Sequence, residues 1–215
     1  MNLATHVSDD PDAVARNRQI LREKLHLDRE PAWLEQVHST QIIDLDHTMA
    51  TTPADGSTTT RNGQPCVVLT ADCLPVLLTD SNGMRVAALH AGWRGLAGGI
   101  LEHGASLFSP GQEILAWMGP AIGAEQFEVG EEVIEQLSVS GIDDSAWCSQ
   151  TTSPGKWLVD IYQLARLRLH RAGVAEVSGG AYCTFTEDQR FYSYRRQVEC
   201  GRMATLIWID HQAAS

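Results

Sequence analysis

Between residues 66 and 90 three short apolar runs are separated only by turn-forming segments, which commits the middle of this chain to a β-sheet. Cys66-Val67-Val68-Leu69-Thr70 is continuously apolar and β-rich, the pattern of a buried strand, and it stops at Ala71-Asp72-Cys73. Val76 to Thr79, the turn Ser81-Asn82-Gly83, and Arg85 to His90 then spell strand, tight turn, strand. Strand side chains alternate, so Val86, Ala88 and His90 share one face. Cys73 and His90 each stand where an apolar run gives way to a turn, beside Pro75 and Gly92. Such positions present side chains at the rim of a sheet.

The flanks add helices and further strands. Asp10 as N-cap and Pro11 as first helical residue predict a helix over roughly residues 11–26, with Ala13, Ile20, Leu21, Leu25 and Leu27 as its apolar face. Trp33 to Val37 and Thr40 to Leu45 read as strands with His38 between them, whereas residues 46–63 are polar and turn-rich and predict an exposed loop. A helix is expected after Gly95 to about His103, a strand over Ile114 to Met118, and a helix over Val129 to Leu137. Trp157 to Ala172 carries the clearest helical pattern, with Leu158, Ile161, Leu164, Ala165 and Leu169 on one face and Gly173 as its stop. Two last strands are predicted around Tyr192–Tyr194 and Met203–Trp208. Helices and strands mix without strict alternation or internal repeat. The expected fold is α+β: a single layered α/β sandwich domain with mixed β-sheets over residues 1–215.

Bulk properties narrow the function. A length of 215 residues with 43% hydrophobic composition supports one sizeable core. The net charge of −11 argues against a broad nucleic-acid surface but leaves room for a local basic pocket. No stretch approaches the roughly 20 apolar residues that span a bilayer, and the start lacks the basic-then-apolar pattern of a signal peptide. A cytoplasmic protein without membrane partners is expected, as monomer or homodimer. Its five cysteines are odd in number and widely spread, which favours free thiols or metal ligands over a disulfide framework.

With His38, the residues Cys73 and His90 offer two imidazoles and a thiolate. That donor set suits an open zinc site, with a fourth position left for water or substrate. The competing reading is a small core cysteine and ordinary histidines. Copper is an alternative metal for the same set, with Met118 or Met84 as a weak axial ligand. A multicopper oxidase, however, needs many histidines in His-x-His pairs, and the eight histidines here form none. A third alternative makes Cys73 a nucleophile with His90 as its base, giving an amide hydrolase without metal. The remaining histidines, His6, His26, His47, His103, His170 and His211, sit in polar or helical contexts and read as surface residues.

Gln36-Val37-His38, Thr70-Ala71-Asp72-Cys73-Leu74-Pro75 and His90-Ala91-Gly92-Trp93-Arg94-Gly95 occur in an order that resembles the laccase-domain polyphenol oxidase family. Gly119-Pro120-Ala121-Ile122-Gly123, Phe127-Glu128-Val129-Gly130-Glu131-Glu132-Val133, Arg190 to Arg196 and Gly201-Arg202-Met203 extend the similarity to about residues 2–209. Members are commonly described as purine nucleoside phosphorylases with adenosine deaminase activity. The resemblance implies a sandwich similar to cytotoxic-necrotizing-factor-type hydrolases, with His38, Cys73 and His90 as metal ligands, usually to zinc. Three departures stand out. Members usually carry a Gly-rich, Arg-containing strand pair before the segment matching Asn2-Leu3-Ala4-Thr5-His6-Val7, so substrate contacts from it are expected to be missing. Ala124-Glu125-Gln126 replaces a Pro-Cys-Cys run, and Cys200 replaces a usual threonine.

The expected reaction is phosphorolysis of a purine nucleoside with inorganic phosphate as co-substrate, with adenosine deamination as a further activity. A divalent ion can bring bound water to a pKa of about 7, which serves deamination. Because the H-x-E…P-C-x-x-C pattern of nucleobase deaminases is absent, Asp72 is the first candidate to move protons and Asp55 the second. Each is also a candidate capping carboxylate. Arg94, in a Trp-Arg-Gly turn entering a helix, is the candidate phosphate anchor. Asn2, Asp55, Arg196 and Arg202 are candidate substrate contacts, although both arginines have plentiful surface carboxylates to pair with. Trp93 and Phe127 offer faces for a base, with core packing the competing role.

Overall fold

The computed structural model describes residues 1–48 and 53–210. Along the chain run α1 (Pro11–Lys24), β1 (Ile42–Asp44), β2 (Gly56–Thr59), β3 (Cys66–Thr70), β4 (Leu74–Asp80), β5 (Val86–Ala91), α2 (Trp93–Gly98) and α3 (Ile100–Ser106). There follow β6 (Ile114–Met118), β7 (Glu128–Gly130), α4 (Glu131–Leu137), β8 (Cys148–Gln150), β9 (Lys156–Val159), α5 (Ile161–Arg171), β10 (Val174–Gly179) and β11 (Met203–Ile207). The fold is α+β. A mixed six-stranded sheet, ordered β1-β2-β5-β4-β6-β10, is joined by the antiparallel pair β11-β3 and a three-stranded sheet β7-β9-β8.

Alternation along the central strands sorts the core into two layers. Leu74, Val76 and Leu78 of β4 and Ala87, Leu89 and Ala91 of β5 pack with Leu96, Ile100 and Leu101 of α2 and α3 and with Leu164 and Leu169 of α5. The opposite face presents Val86 and Ala88 to Cys66 and Val68 of β3. His90 belongs to this second face and ends its row at the sheet's rim. The side chains of Leu78 and Leu89 are completely buried; truncating either to alanine costs about 2 to 5 kcal/mol.

Several expectations need correction. The polar stretch 46–63 holds β2, whose Gly-Ser-Thr-Thr is wholly buried next to β5. Its two threonine hydroxyls find partners: Thr58 Oγ1 donates to Val86 O, and Thr59 Oγ1 donates to Asp46. Gly56 leaves room for the side chains of Leu89 and Ile42, which a Cβ would crowd at 2.9 and 3.1 Å. Residues 33–37 form no strand, because the backbone there turns toward Asp55 instead of a neighbouring strand. The helix expected after Gly95 begins at Trp93 and is cut in two at Gly99, whose φ of +93° is left-handed. The segment 157–172 splits at Asp160: Trp157 to Val159 are strand, and the Asp160 side chain caps α5 by accepting from Gln163 N. Likewise Val129 and Gly130 belong to β7, and the helix starts at Glu131. Residues 192–194 form no strand, whereas β8 and β10 arise in stretches for which no element was expected. Helix α1 starts as expected at the Asp10 cap, which accepts from Asp12 N, and ends at Lys24. Among the described residues no helix is long and apolar enough to cross a membrane. His211 lies outside the described residues.

Candidate active site

One carboxylate organises the site. Asp55, fully buried just before β2, accepts from the backbone N–H groups of Val37, His38 and Ser39 at 3.2, 2.9 and 2.6 Å and from the Ser39 hydroxyl at 2.8 Å. These bonds hold His38 in a left-handed conformation, φ +61°, that costs a non-glycine residue energy. The same carboxylate meets His90 Nδ1 at 2.8 Å and so ties down the ring of β5. Burial alone would raise the Asp55 pKa. The His90 contact and the Ser39 hydrogen bonds outweigh it and hold the carboxyl at about 2.

Cys73 arrives from the other side, at the turn into β4. Its neighbour Asp72 sits at φ +88°, another left-handed strain next to a reactive residue. The carboxylate of Asp72 stabilises that bend. It accepts from Thr184 Oγ1 at 2.6 Å, Ser193 Oγ at 3.0 Å and Arg195 N at 2.7 Å. Cys73 Sγ thereby comes within 3.9 Å of His38 Nε2, and the donor atoms of His38, Cys73 and His90 all lie within 4.8 Å of one another. The rings of His38 and His90 meet edge-on, centroids 4.8 Å apart. Gly92 completes the cradle: a Cβ there would stand 2.9 Å from Cys73 Sγ and 3.3 Å from His38 Cδ2. Burial would push the Cys73 thiol up, but the two imidazoles pull it down, and the thiolate in turn holds His90 up.

This donor set fits a divalent ion. Two ligands at tetrahedral zinc, one sulfur and one nitrogen, stand about 3.6 Å apart by the bond lengths usual for zinc, close to the 3.9 Å seen here. With Nδ1 of His90 taken by a carboxylate, Nε2 is the ligand atom, the second-sphere arrangement found behind metal-bound histidines.

The triad opens onto a cavity of about 760 Å³ walled by Trp93, Arg94, Phe127, Lys156, Tyr194 and Arg202, among others. Arg94 lies over the Trp93 ring at 4.3 Å. Phe127 is almost wholly buried in the core, with its edge at the cavity, while Trp93 is half-buried. The structure thus brings His38, Cys73, His90, Asp72, Arg94 and Arg202 to one cavity.

Three sequence candidates have other duties. Asp55 lies behind His90, so its carboxylate faces neither substrate nor solvent. Asn2 is buried and spends its amide on Ala4, Asp9 and the backbone of Arg202. Arg196 donates to the carbonyls of Thr184, Phe185 and Phe191, stitching a loop outside the cavity wall. As a proton carrier Asp72 is also displaced, because loop donors occupy both its oxygens. The methionines of the copper alternative are placed elsewhere: Met118 is packed in the core and does not line the cavity, and Met84 is exposed at the opposite end of β4 and β5. Sequence reasoning missed His6, Gln36, Glu128, Glu132, Lys156 and Arg195, which line the cavity. His6 is exposed, as expected, but at the cavity and not on an idle surface. No local pattern distinguishes these polar residues from ordinary surface ones.

The model of the multi-copper polyphenol oxidoreductase laccase family matches residues 1–210. A purine nucleoside phosphorylase of Pseudomonas aeruginosa is 47% identical over 211 residues, covering 98% of this chain and 86% of that protein. One from Escherichia coli is also 47% identical, covering 97% and 86%. Among solved structures, a Neisseria meningitidis protein superposes with a TM-score of 0.89 at 46% identity, covering 97% of this chain and 86% of that one. YlmD from Geobacillus stearothermophilus gives 0.86 at 31%, covering 98% and 85%. The chain belongs to the multi-copper polyphenol oxidoreductase laccase family, among relatives that bear the name purine nucleoside phosphorylase.

Proposed function

We propose that the chain is a metal-dependent purine nucleoside phosphorylase acting on adenosine, inosine or guanosine, with zinc held by His38, Cys73 and His90. The observation that carries the reading is the convergence of two imidazoles and a thiolate within 4.8 Å at the wall of a large cavity, in a chain whose relatives carry that name. When bound, the ion supplies a positive charge next to the cavity with a coordination position left open. Phosphorolysis breaks the bond between ribose C1′ and the purine nitrogen and forms one between C1′ and a phosphate oxygen. The departing base must gain a proton.

The chain's own residues divide this work. Arg94, with no hydrogen bond to other residues among those described, presents its guanidinium to a phosphate as a bidentate donor. Trp93 and Phe127 offer aromatic surface to the base. Because Asp72 is engaged in its loop, the proton for the leaving base falls to Glu128 or Glu132. Neither carboxylate has a side-chain hydrogen bond among the described residues, and both line the cavity. Deamination of adenosine in the same cavity is a further activity under this reading. The test is incubation of zinc-loaded protein with adenosine and phosphate, followed by product analysis. Adenine with ribose 1-phosphate supports phosphorolysis, inosine supports deamination, and unchanged adenosine refutes both.

One contact favours a second reading. Asp55, His90 and Cys73 line up as carboxylate, imidazole and thiol, the order of a cysteine hydrolase. A bound metal masks that thiolate, so the two readings separate cleanly. Rapid alkylation of Cys73 in active, metal-free protein supports an amide hydrolase; protection of Cys73 by one retained ion supports the metalloenzyme.

A further inference from the structure

We propose that the end of the cavity formed by His6 and Arg202 is a subsite for an anionic group carried by the substrate itself, a phosphoester or a carboxylate. This deepens the phosphorylase reading and rests on it for the chemistry, while the binding it predicts stands alone. Within that reading, a purine nucleoside that bears such a group binds better than the bare nucleoside.

The distribution of charge is the first reason. The chain has 27 acidic residues against 16 lysines and arginines, yet the cavity reverses that balance, with Arg94, Lys156, Arg195, Arg202 and His6 against Asp72, Glu128 and Glu132. The cations fall on different walls. Arg94 and Lys156 stand on α2 and β9, whereas His6 stands on the N-terminal segment and Arg202 just before β11. A single inorganic phosphate at Arg94 leaves the second wall without a counter-charge.

At that second wall the cations crowd together. Arg202 uses Nη1 on the carbonyls of Cys200 and Gly201, and its guanidinium stands 5.8 Å from the Tyr194 ring centroid. Its Nε and Nη2 make no hydrogen bond among the described residues. His6 makes none from its ring. Arg18 stands close by, anchored by Nε to Leu3 O and stacked on Trp33 at 4.0 Å. The imidazole of His6 is held below its usual pKa, first by burial and then by the positive charges of Arg202 and Arg18. Two nearby acids do not neutralise the group. Asp72 is turned into its loop, and Glu30 accepts from Trp33 Nε1 and pairs with Arg22. Like charges gathered without a partner cost free energy, and an incoming anion removes that cost.

The wall is also built to hold its shape. Asn2 accepts from Arg202 N at 2.9 Å and from Ala4 N at 3.0 Å, and Leu3 N donates to Arg202 O at 3.3 Å. Asn17 Nδ2 ties the same segment to α1 at Asn2 O. One buried amide thus sets the two chain segments that carry His6 and Arg202. A cavity of about 760 Å³ has room for a group beyond base and ribose.

Calorimetric titration of the zinc-loaded protein tests this with adenosine, AMP, adenosine 5′-carboxylate and inorganic phosphate. AMP and the carboxylate are expected to bind at least about tenfold tighter than adenosine. Arg202→Gln should bring that advantage to within about threefold, and His6→Ala, which removes an exposed side chain without a hydrogen-bond partner, should reduce it in part. Phosphate alone should bind both variants as it binds the parent. Equal affinity for AMP and adenosine in the parent overturns the proposal. So does a loss of free-phosphate binding that parallels the loss for AMP, which assigns the wall to inorganic phosphate. If AMP keeps its advantage and no ligand undergoes phosphorolysis, the subsite stands and the phosphorylase reading falls.

Discussion

Two buried carboxylates, at opposite ends of the β4–β5 pair, are used in the same way and yield different things. At one end Asp80, 2% exposed, accepts from the N–H groups of Asn82, Met84 and Arg85 and closes the tight turn that follows it. At the other, Asp55 accepts from three successive N–H groups of a distant segment and then also grips His90. Both are buried carboxylates satisfied by backbone donors, which is a structural duty. Only Asp55 couples that duty to an imidazole at the rim of a cavity. The difference lies in reach: the partners of Asp80 are two to five residues away, those of Asp55 sixteen to thirty-five.

The largest expected effect comes from removing the long-range carboxylate. Asp55→Ala strands three backbone N–H groups and a buried imidazole, and should cost about 3 to 5 kcal/mol in urea denaturation. The milder Asp55→Asn should weaken zinc binding by about 10- to 100-fold in a chelator competition. Asp80→Ala should cost about 1 to 3 kcal/mol and leave zinc affinity where it was. An equal loss of zinc affinity in both variants would break the comparison.

Acid sharpens it further. The Asp55 carboxyl is held at about 2 in the fold, against 3.8 for a free aspartate side chain. A depressed folded value means that its contribution is complete above about pH 4 and is lost as pH falls toward 2. The amount is about 2 kcal/mol. Stability curves of the parent should therefore fall more steeply over that window than those of Asp55→Asn. The smallest effect belongs to Ser39→Ala, which deletes the 2.8 Å hydroxyl bond to Asp55 and keeps the three backbone donors. It should cost about 1 kcal/mol and leave zinc affinity nearly unchanged.

The same contrast explains what could be read from the sequence. The turn after Asp80 was legible because Ser-Asn-Gly is a local signal, and β3, β4, β5 and β6 were legible because their apolar runs are short and bounded. Strand β2 was not, since its burial is achieved with hydroxyls bonded across the sheet and to Asp46, which looks like a polar loop in one dimension. Trp157 to Val159 imitated a helix because Leu158 falls on the helical spacing of Ile161 and Leu164, while the Asp160 cap that ends the imitation went unread. The three candidate ligand residues stood out by their places at run ends and by the motifs around them. The roles of Asp55 and Asn2 did not, because each depends on partners brought in by the fold. Both had been assigned to substrate, yet each acts one layer behind the cavity wall.

Metal analysis of the parent and of Cys73→Ala, after dialysis against a weak chelator, tests the central claim most directly. The account predicts one zinc per chain in the parent and none in the variant, with circular dichroism showing both folded. A folded Cys73→Ala protein that keeps its full complement of metal would contradict it.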